Sequence, residues 1–437
     1  MIKTIKMNIS SRRNFLVKLG AVGSISFLSN LSKGNNQIDS IISAKAEKSE
    51  DELVTDESFW YQIKMAFSVS PTLINLNNGG VSPQPKVVQD AVERYNKLSN
   101  ETPSFYMWRT LDDGREPLRR KLAELAGCSP DNLAIMRNSS EALENIIFGI
   151  TLQRGDEVVL SKQDYPNMIN AWKQREHREG IVLKWISLDL PTTDEDYLYR
   201  SYTQAFTNKT KVVHITHLIN WCGQIVPTQK IAIEARSKGI LSVIDGAHSF
   251  AQIEYNIPDL EGDFYGTSLH KWLCAPFGSG LLYVKKDKIS SLYPLMAAGD
   301  PVSSDIRKFE NLGTRSFAIE QAIGQAIDFH YMIGGSLKQK RLEYLKQYWC
   351  NKLKKVNGVS IHTPLDPKFS CAIANFKIAN METHAISSEL LSKYKVHTVS
   401  IVWDNIDSVR VTPNVYTTTR DLEVFIQAVE KMVASKS

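Results

Sequence analysis

Leu241-Ser242-Val243-Ile244-Asp245-Gly246-Ala247-His248 decides the fold. Residues 241–244 read as a buried strand. The polarity then changes at once, with an acid at the strand end and a histidine three residues on. The same design repeats outward. Residues 211–216 form a near-continuous apolar strand, of the kind buried on both faces, and Asn220 follows it. Pro227 opens a helix that Gly239 closes. Residues 263–267 and 280–284 give two more strands, with Ser268, His270 and Lys271 between them. Upstream, residues 133–137 and 157–160 are strands. Asn138-Ser139-Ser140-Glu141 carries helix-start chemistry ahead of Ala142, Leu143, Ile146, Ile147 and Ile150 at helical spacing. Residues 167–180 form a polar helix ending on Gly180. This alternation predicts an α/β fold, a mostly parallel sheet covered by helices. Ligands on such sheets sit beyond the carboxyl ends of the strands, where the polar residues fall here.

The pattern changes after about residue 301. Long helices over 317–332 and 337–356 precede short strands and a final helix over 419–434, which predicts a smaller α+β domain at the C-terminus. The expected organisation is a leader over 1–46, a segment over 47–75 that packs on the small domain, a large domain over 76–305 and a small domain over 306–437. The 437 residues are 43% hydrophobic and 23% charged, which excludes a disordered, collagen-like or polytopic membrane chain. Net charge is +5, but residues 1–46 hold seven Lys/Arg against Asp39 alone, so the body is near neutral and offers no electrostatic case for nucleic acid. The five cysteines follow no metal-ligand spacing and read as small buried hydrophobes.

An acid, a lysine, two imidazoles and a hydroxyl-bearing helix start are what pyridoxal phosphate requires. A lysine forms a Schiff base with its aldehyde. A carboxylate keeps the pyridine nitrogen protonated, so that the ring takes up the electrons of a bond broken at a substrate Cα. Ser139 and Ser140 at a helix N-terminus suit its phosphate. Taken singly, Asp245, Ser139 and Ser140 could be helix caps, and His248 and His270 satisfied core histidines.

Together the motifs carry a resemblance. Asp245-Gly246-Ala247-His248 with Ser268-Leu269-His270-Lys271-Trp272-Leu273-Cys274-Ala275-Pro276-Phe277-Gly278-Ser279-Gly280 resembles the class V aminotransferase family of fold-type I pyridoxal phosphate enzymes, and within it the isopenicillin N epimerase-like branch. The resemblance runs over about residues 70–435, from Asn75-Leu76-Asn77-Asn78-Gly79-Gly80 to Arg410-Val411-Thr412-Pro413. It implies Lys271 as Schiff-base lysine and proton shuttle, and Asp245 as the pyridine-nitrogen acid. His248 and Asn220 fall near the phenolic oxygen. Ser139, Ser140, Ser268 and His270 fall at the phosphate, and Tyr165 at the stacking position. Thr314 lies on a loop that reaches the phosphate of a neighbouring subunit, so a homodimer with shared sites is implied. Arg410, with Asn78, binds the substrate, its guanidinium clamping an α-carboxylate.

The implied activity is transamination or epimerisation at the Cα of an amino acid, with β-elimination or C–S lysis as the alternative. Desulfurases of the family carry a loop cysteine before the arginine, and residues 393–407 here contain none. A non-catalytic exported binding protein on the same scaffold is the reading of another class; a nicotinamide enzyme lacks its glycine fingerprint here. Finally, Ser11-Arg12-Arg13-Asn14-Phe15-Leu16 and the mildly apolar run to Leu31 resemble a twin-arginine signal, with Ala44-Lys45-Ala46 as a cleavage site. That implies the twin-arginine export machinery as a partner and a periplasmic or exported location, with the cytoplasm as the other possibility.

Overall fold

The computed structural model describes residues 41 and 45–435. The expected leader therefore lies outside the described residues, apart from Ile41, Lys45 and Ala46. The Lys45 ammonium donates to the carbonyls of Met332 and Ile333, at 3.0 and 2.9 Å.

The chain enters through helices α1 (Glu50–Thr55) and α2 (Glu57–Met65) and a short strand β1 (Ile74–Asn75). Helices α3 (Lys86–Glu101) and α4 (Arg115–Leu125) lead to strand β2 (Leu133–Met136) and helix α5 (Ser139–Gly149). Then β3 (Glu157–Ser161), α6 (Pro166–Glu179), β4 (Val182–Ile186), α7 (Glu195–Thr203), β5 (Thr210–Thr216), α8 (Thr228–Ser237) and β6 (Leu241–Asp245) alternate, before β7 (Phe264–Ser268) and β8 (Gly280–Val284). These strands form one seven-stranded sheet in the order β2-β8-β7-β6-β5-β3-β4. Pairings from β4 through β7 are parallel, and β8 runs against both its neighbours. This is the mixed, mostly parallel sheet that residues 133–284 predict.

The central strands are apolar because both faces are covered. Val212, Val243, Phe264 and Leu282 pack with α5 and α6 in one cluster, and Ile135, Ile244, Tyr265 and Leu281 pack with α3 and α4 in another. Ser242 and Asp263 exchange hydrogen bonds of 2.9–3.1 Å that lock β6 to β7. Strand β4 had no counterpart in the sequence reading. It is an edge strand whose Val182 and Trp185 face solvent, so it has no continuous apolar run.

Helix α9 (Phe317–Ile333) packs on α3 and α4, and its Ile323, Ala326 and Ile327 share their core. By packing it continues the large unit, although the expected boundary at 306 precedes it. The smaller unit holds α10 (Gly335–Leu353), β9 (Val359–Ile361), β10 (Ala374–Ile378), α11 (Thr383–Tyr394), β11 (Val396–His397), β12 (Val399–Trp403), β13 (Ile406–Val411) and α12 (Thr419–Ala434). Its four-stranded antiparallel sheet has the order β12-β13-β10-β9, and β11 pairs in parallel with β1. Helix α1 lies on α10, where Lys340 meets Asp51 at 2.8 Å and the Arg341 guanidinium donates to the Val54 carbonyl at 3.0 Å.

Candidate active site

Five segments converge beyond the carboxyl ends of β5, β6 and β7. They line a small pocket with Ser139, Ser140, Leu143, Tyr165, Met168, Thr216, Asn220, Asp245, Ala247, His248 and Lys271. Seven of the expected site residues meet there although they span more than a hundred positions of sequence. Parallel strand order is the reason, because it stacks successive strand ends side by side.

Asp245 ends β6. It is 4% exposed, and its Oδ1 accepts from the Ala247 N–H at 2.9 Å. Burial pushes its pKa up; the Ala247 N–H and the Lys271 charge pull against that. The group thus needs a cation beside it to remain a carboxylate, and a protonated pyridine nitrogen is such a cation. The Lys271 ammonium lies 3.0 Å from His248 Nε2. Burial brings the Lys271 pKa down to about 8, against the attraction of Asp245. An amine held there is neutral often enough near neutral pH to attack an aldehyde. Burial, and then the charges of Lys271 and Arg410, drive His248 well below the ordinary histidine range, so its ring is neutral. Among the described residues its buried Nδ1 has no hydrogen-bond partner.

The phosphate side forms at the start of α5. Asn138 caps it, its side chain accepting from the Glu141 N–H at 2.8 Å. The Ser268 hydroxyl at the end of β7 accepts from the Ser139 N–H at 2.9 Å and donates to Ser139 Oγ at 3.0 Å. A helix N-terminus with three clustered hydroxyls favours a phosphate dianion. His270 follows two residues after Ser268 and does not line the pocket. Its Nδ1 lies 3.0 Å from the Ser279 carbonyl, and burial brings its pKa down to about 4, so it too is neutral. The close approach of β8 to this cradle requires a glycine: a Cβ on Gly280 would lie 2.7–2.8 Å from the Asn138 backbone.

Arg410, on β13, supplies the other pole. Its guanidinium is 6% exposed, yet its recorded partners are neutral: the Asn220 carbonyl at 2.8 Å and Asn77 Oδ1 at 3.1 Å. Its buried Nε has no hydrogen-bond partner among the described residues, and burial lowers its pKa to about 10. Among the described residues no acid pairs with this guanidinium, so its charge could be met by a carboxylate. Tyr165 is 40% exposed, and its ring stacks on Trp221 at 6.4 Å, which in turn stacks on Trp403 at 5.2 Å. Trp403 and Asp404, at the β12–β13 turn, bind the Lys162 carbonyl and the Gln163 amide, so this hairpin of the small unit is pinned beside Tyr165.

Two expected residues stand elsewhere. Asn78 is fully buried, and its amide is spent on the Thr412 and Asn75 carbonyls, Asn75 Nδ2 and the Tyr416 hydroxyl. Its neighbour Asn77 is the one that touches Arg410. Thr314 is exposed on a loop and does not line this chain's pocket. Sequence reasoning passed over Thr216, Met168, Leu143 and Asn77; only the positions of the first three, at a strand end or on pocket-facing turns of α5 and α6, carried a signal.

The aminotransferase class-V family model matches residues 74–400. The chain belongs to that family. An isopenicillin N epimerase of Amycolatopsis lactamdurans is 26% identical over 392 residues, covering 85% of this chain and 98% of that protein. A probable cysteine desulfurase of Halalkalibacterium halodurans is 27% identical over 354 residues, covering 76% and 85%. Among solved structures, a C-DES mutant with glycine covalently linked to its PLP cofactor superposes with a TM-score of 0.77 at 19% identity, over 84% of this chain and 98% of that one. The fold is that of a fold-type I enzyme, and pyridoxal phosphate is the family's cofactor. This chain's residues fit the group: Lys271, an amine of lowered pKa, could take the aldehyde, Asp245 could face the ring nitrogen, and the start of α5 with its hydroxyls could hold the phosphate.

Proposed function

We propose that this protein acts at the Cα of an α-amino acid and moves a proton there, by epimerisation or transamination. The observation that carries this reading is Arg410. A buried guanidinium without an acidic partner, within electrostatic reach of Lys271 and His248, calls for a substrate carboxylate close to the reactive amine.

When bound, pyridoxal phosphate supplies an electron sink for the bond broken at Cα. The chain's residues do the rest. Ser139, Ser140, Ser268 and His270 anchor the phosphate, and Asp245 keeps the ring nitrogen's proton. Arg410 orients the substrate by its carboxylate, which selects the bond to be broken. Lys271, with its lowered pKa, would hold the cofactor by its aldehyde and would serve as the base for the Cα proton. Neutral His248 holds the lysine amine in place by a hydrogen bond at 3.0 Å. Tyr165 is the candidate for returning a proton from the opposite face.

The cysteine desulfurase reading is disfavoured by the lack of a loop cysteine before Arg410. Residues 396–411 form strands and a tight hairpin without cysteine. Four of the five cysteines are buried, and burial pushes their thiols upward. A panel of L- and D-amino acids incubated with the holoenzyme in deuterated water tests the proposal: deuterium at Cα of recovered substrate is expected. Clean release of sulfide or pyruvate without exchange would favour the lyase reading, and no exchange with any amino acid would favour a binding protein.

The same proposal includes a homodimer that shares its sites through the Thr314 loop, and export by the twin-arginine machinery. Exposed Phe105, Trp108 and Phe277 supply apolar surface for the dimer. Light scattering of the purified protein tests the dimer. The mass of the periplasmic form tests export: cleavage after Ala46 would remove the Lys45 contacts to Met332 and Ile333.

A further inference from the structure

Asp164 lies just behind the pocket and has no role in the chemistry above. Its side chain is 1% exposed. Oδ1 accepts from the Thr216 hydroxyl at 2.7 Å and Oδ2 from the Ser161 N–H at 2.8 Å. Among the described residues no salt bridge reaches it. The titratable groups that face it are Asp245, on β6, and Tyr202, on α7. A carboxylate in such a place has lost its hydration and gained two neutral donors, beside another carboxylate. Burial, with the Asp245 charge adding to it and the two donors opposing it, moves its pKa up to about 7.

The connections are more telling than the burial. Thr216 lines the pocket and is the register partner of Asp245 across β5 and β6. The residue after Asp164 is Tyr165, the pocket's aromatic wall. One carboxyl group thus joins the turn that carries Tyr165 to the strand end that flanks Asp245.

We propose that Asp164 is a positioning residue of the cofactor site: by tying Thr216 to the turn over residues 161–165, it holds Tyr165 and Asp245 in fixed relation. The inference rests on the cofactor and not on which reaction follows.

The test is equilibrium binding of pyridoxal phosphate to the cofactor-free protein, read by absorbance, with no turnover involved. Asp164→Asn keeps the shape and an acceptor for the Ser161 N–H, and the Thr216 hydroxyl turns to meet the amide. Its Kd is expected within about threefold of wild type. Thr216→Val and Asp164→Ala cut the tie, and each is expected to weaken binding about tenfold, roughly the worth of one buried hydrogen bond. If Asp164→Ala does not fold, the near-isosteric Thr216→Val and Asp164→Asn still decide. Cofactor binding by Thr216→Val as tight as wild type would overturn the proposal. So would Asp164→Asn binding as weakly as Thr216→Val or Asp164→Ala, since the charge and not the tie would then matter.

Discussion

Replacing Lys271 by Met should make the cofactor-free protein more stable while abolishing its function. The buried amine has its pKa brought from the ordinary 10.5 down to about 8, chiefly by burial. That difference corresponds to a penalty on the charged form on the order of 3 kcal/mol. The side chain keeps some access to solvent through the pocket, so about 1–3 kcal/mol is the expected gain at pH 7. The sign follows from proton binding. Between the folded and unfolded pKa values the unfolded chain holds more protons, so wild-type stability rises with pH there. The advantage of Lys271→Met is therefore complete below pH 8 and fades as the pH climbs towards 10.5. Urea denaturation of both cofactor-free proteins at pH 7 and pH 10 measures it. A variant less stable than wild type at pH 7, or an advantage that grows with pH, would refute the reasoning that the lysine is held by the fold at an energetic cost.

Three further outcomes follow from the same geometry. Arg410→Ala should raise KM for amino acids about 10- to 100-fold, the worth of a charged hydrogen bond, and leave the resting absorption spectrum unchanged; steady-state kinetics beside a spectrum checks both halves. Gly280→Ala should weaken cofactor binding at least about tenfold, because the new Cβ at 2.7–2.8 Å from the Asn138 backbone displaces the start of the phosphate helix; titration of the cofactor-free protein reads this. Tyr165→Phe keeps the ring and removes the hydroxyl. Under the epimerase reading it should slow racemisation more than about 100-fold while exchange of the Cα proton on the lysine side persists, which proton NMR in deuterated water resolves.

The large sheet was legible in the sequence for a physical reason. Strands β5 and β6 are buried on both faces, so their residues are apolar without alternation, and the first polar residues beyond them mark the functional edge. The cofactor set was legible for the same reason, since Asp245, Ser268 and Lys271 stand at or next to strand ends. What was illegible depends on tertiary placement. Strand β4 is half exposed and shows no run. Helix α9 reads like its neighbour α10, and only the packing of Ile323 and Ile327 assigns it to the large unit. Asn77 and Asn78 are adjacent and identical in type, and the backbone alone decides which one faces Arg410. The pairing of Asp164 with Thr216 joins residues 52 positions apart through one hydroxyl. No local periodicity announces it.

The central claim is that Lys271 carries pyridoxal phosphate in this pocket. The most direct measurement is the absorption spectrum of the purified protein after incubation with pyridoxal phosphate and removal of the excess, for wild type and Lys271→Ala side by side. The account predicts a visible band bound to the wild-type protein, fixed to Lys271 on borohydride reduction and peptide mass analysis, and no such covalent mark in the variant. A wild-type protein that binds no cofactor, or a reduced label on any other lysine, would contradict it.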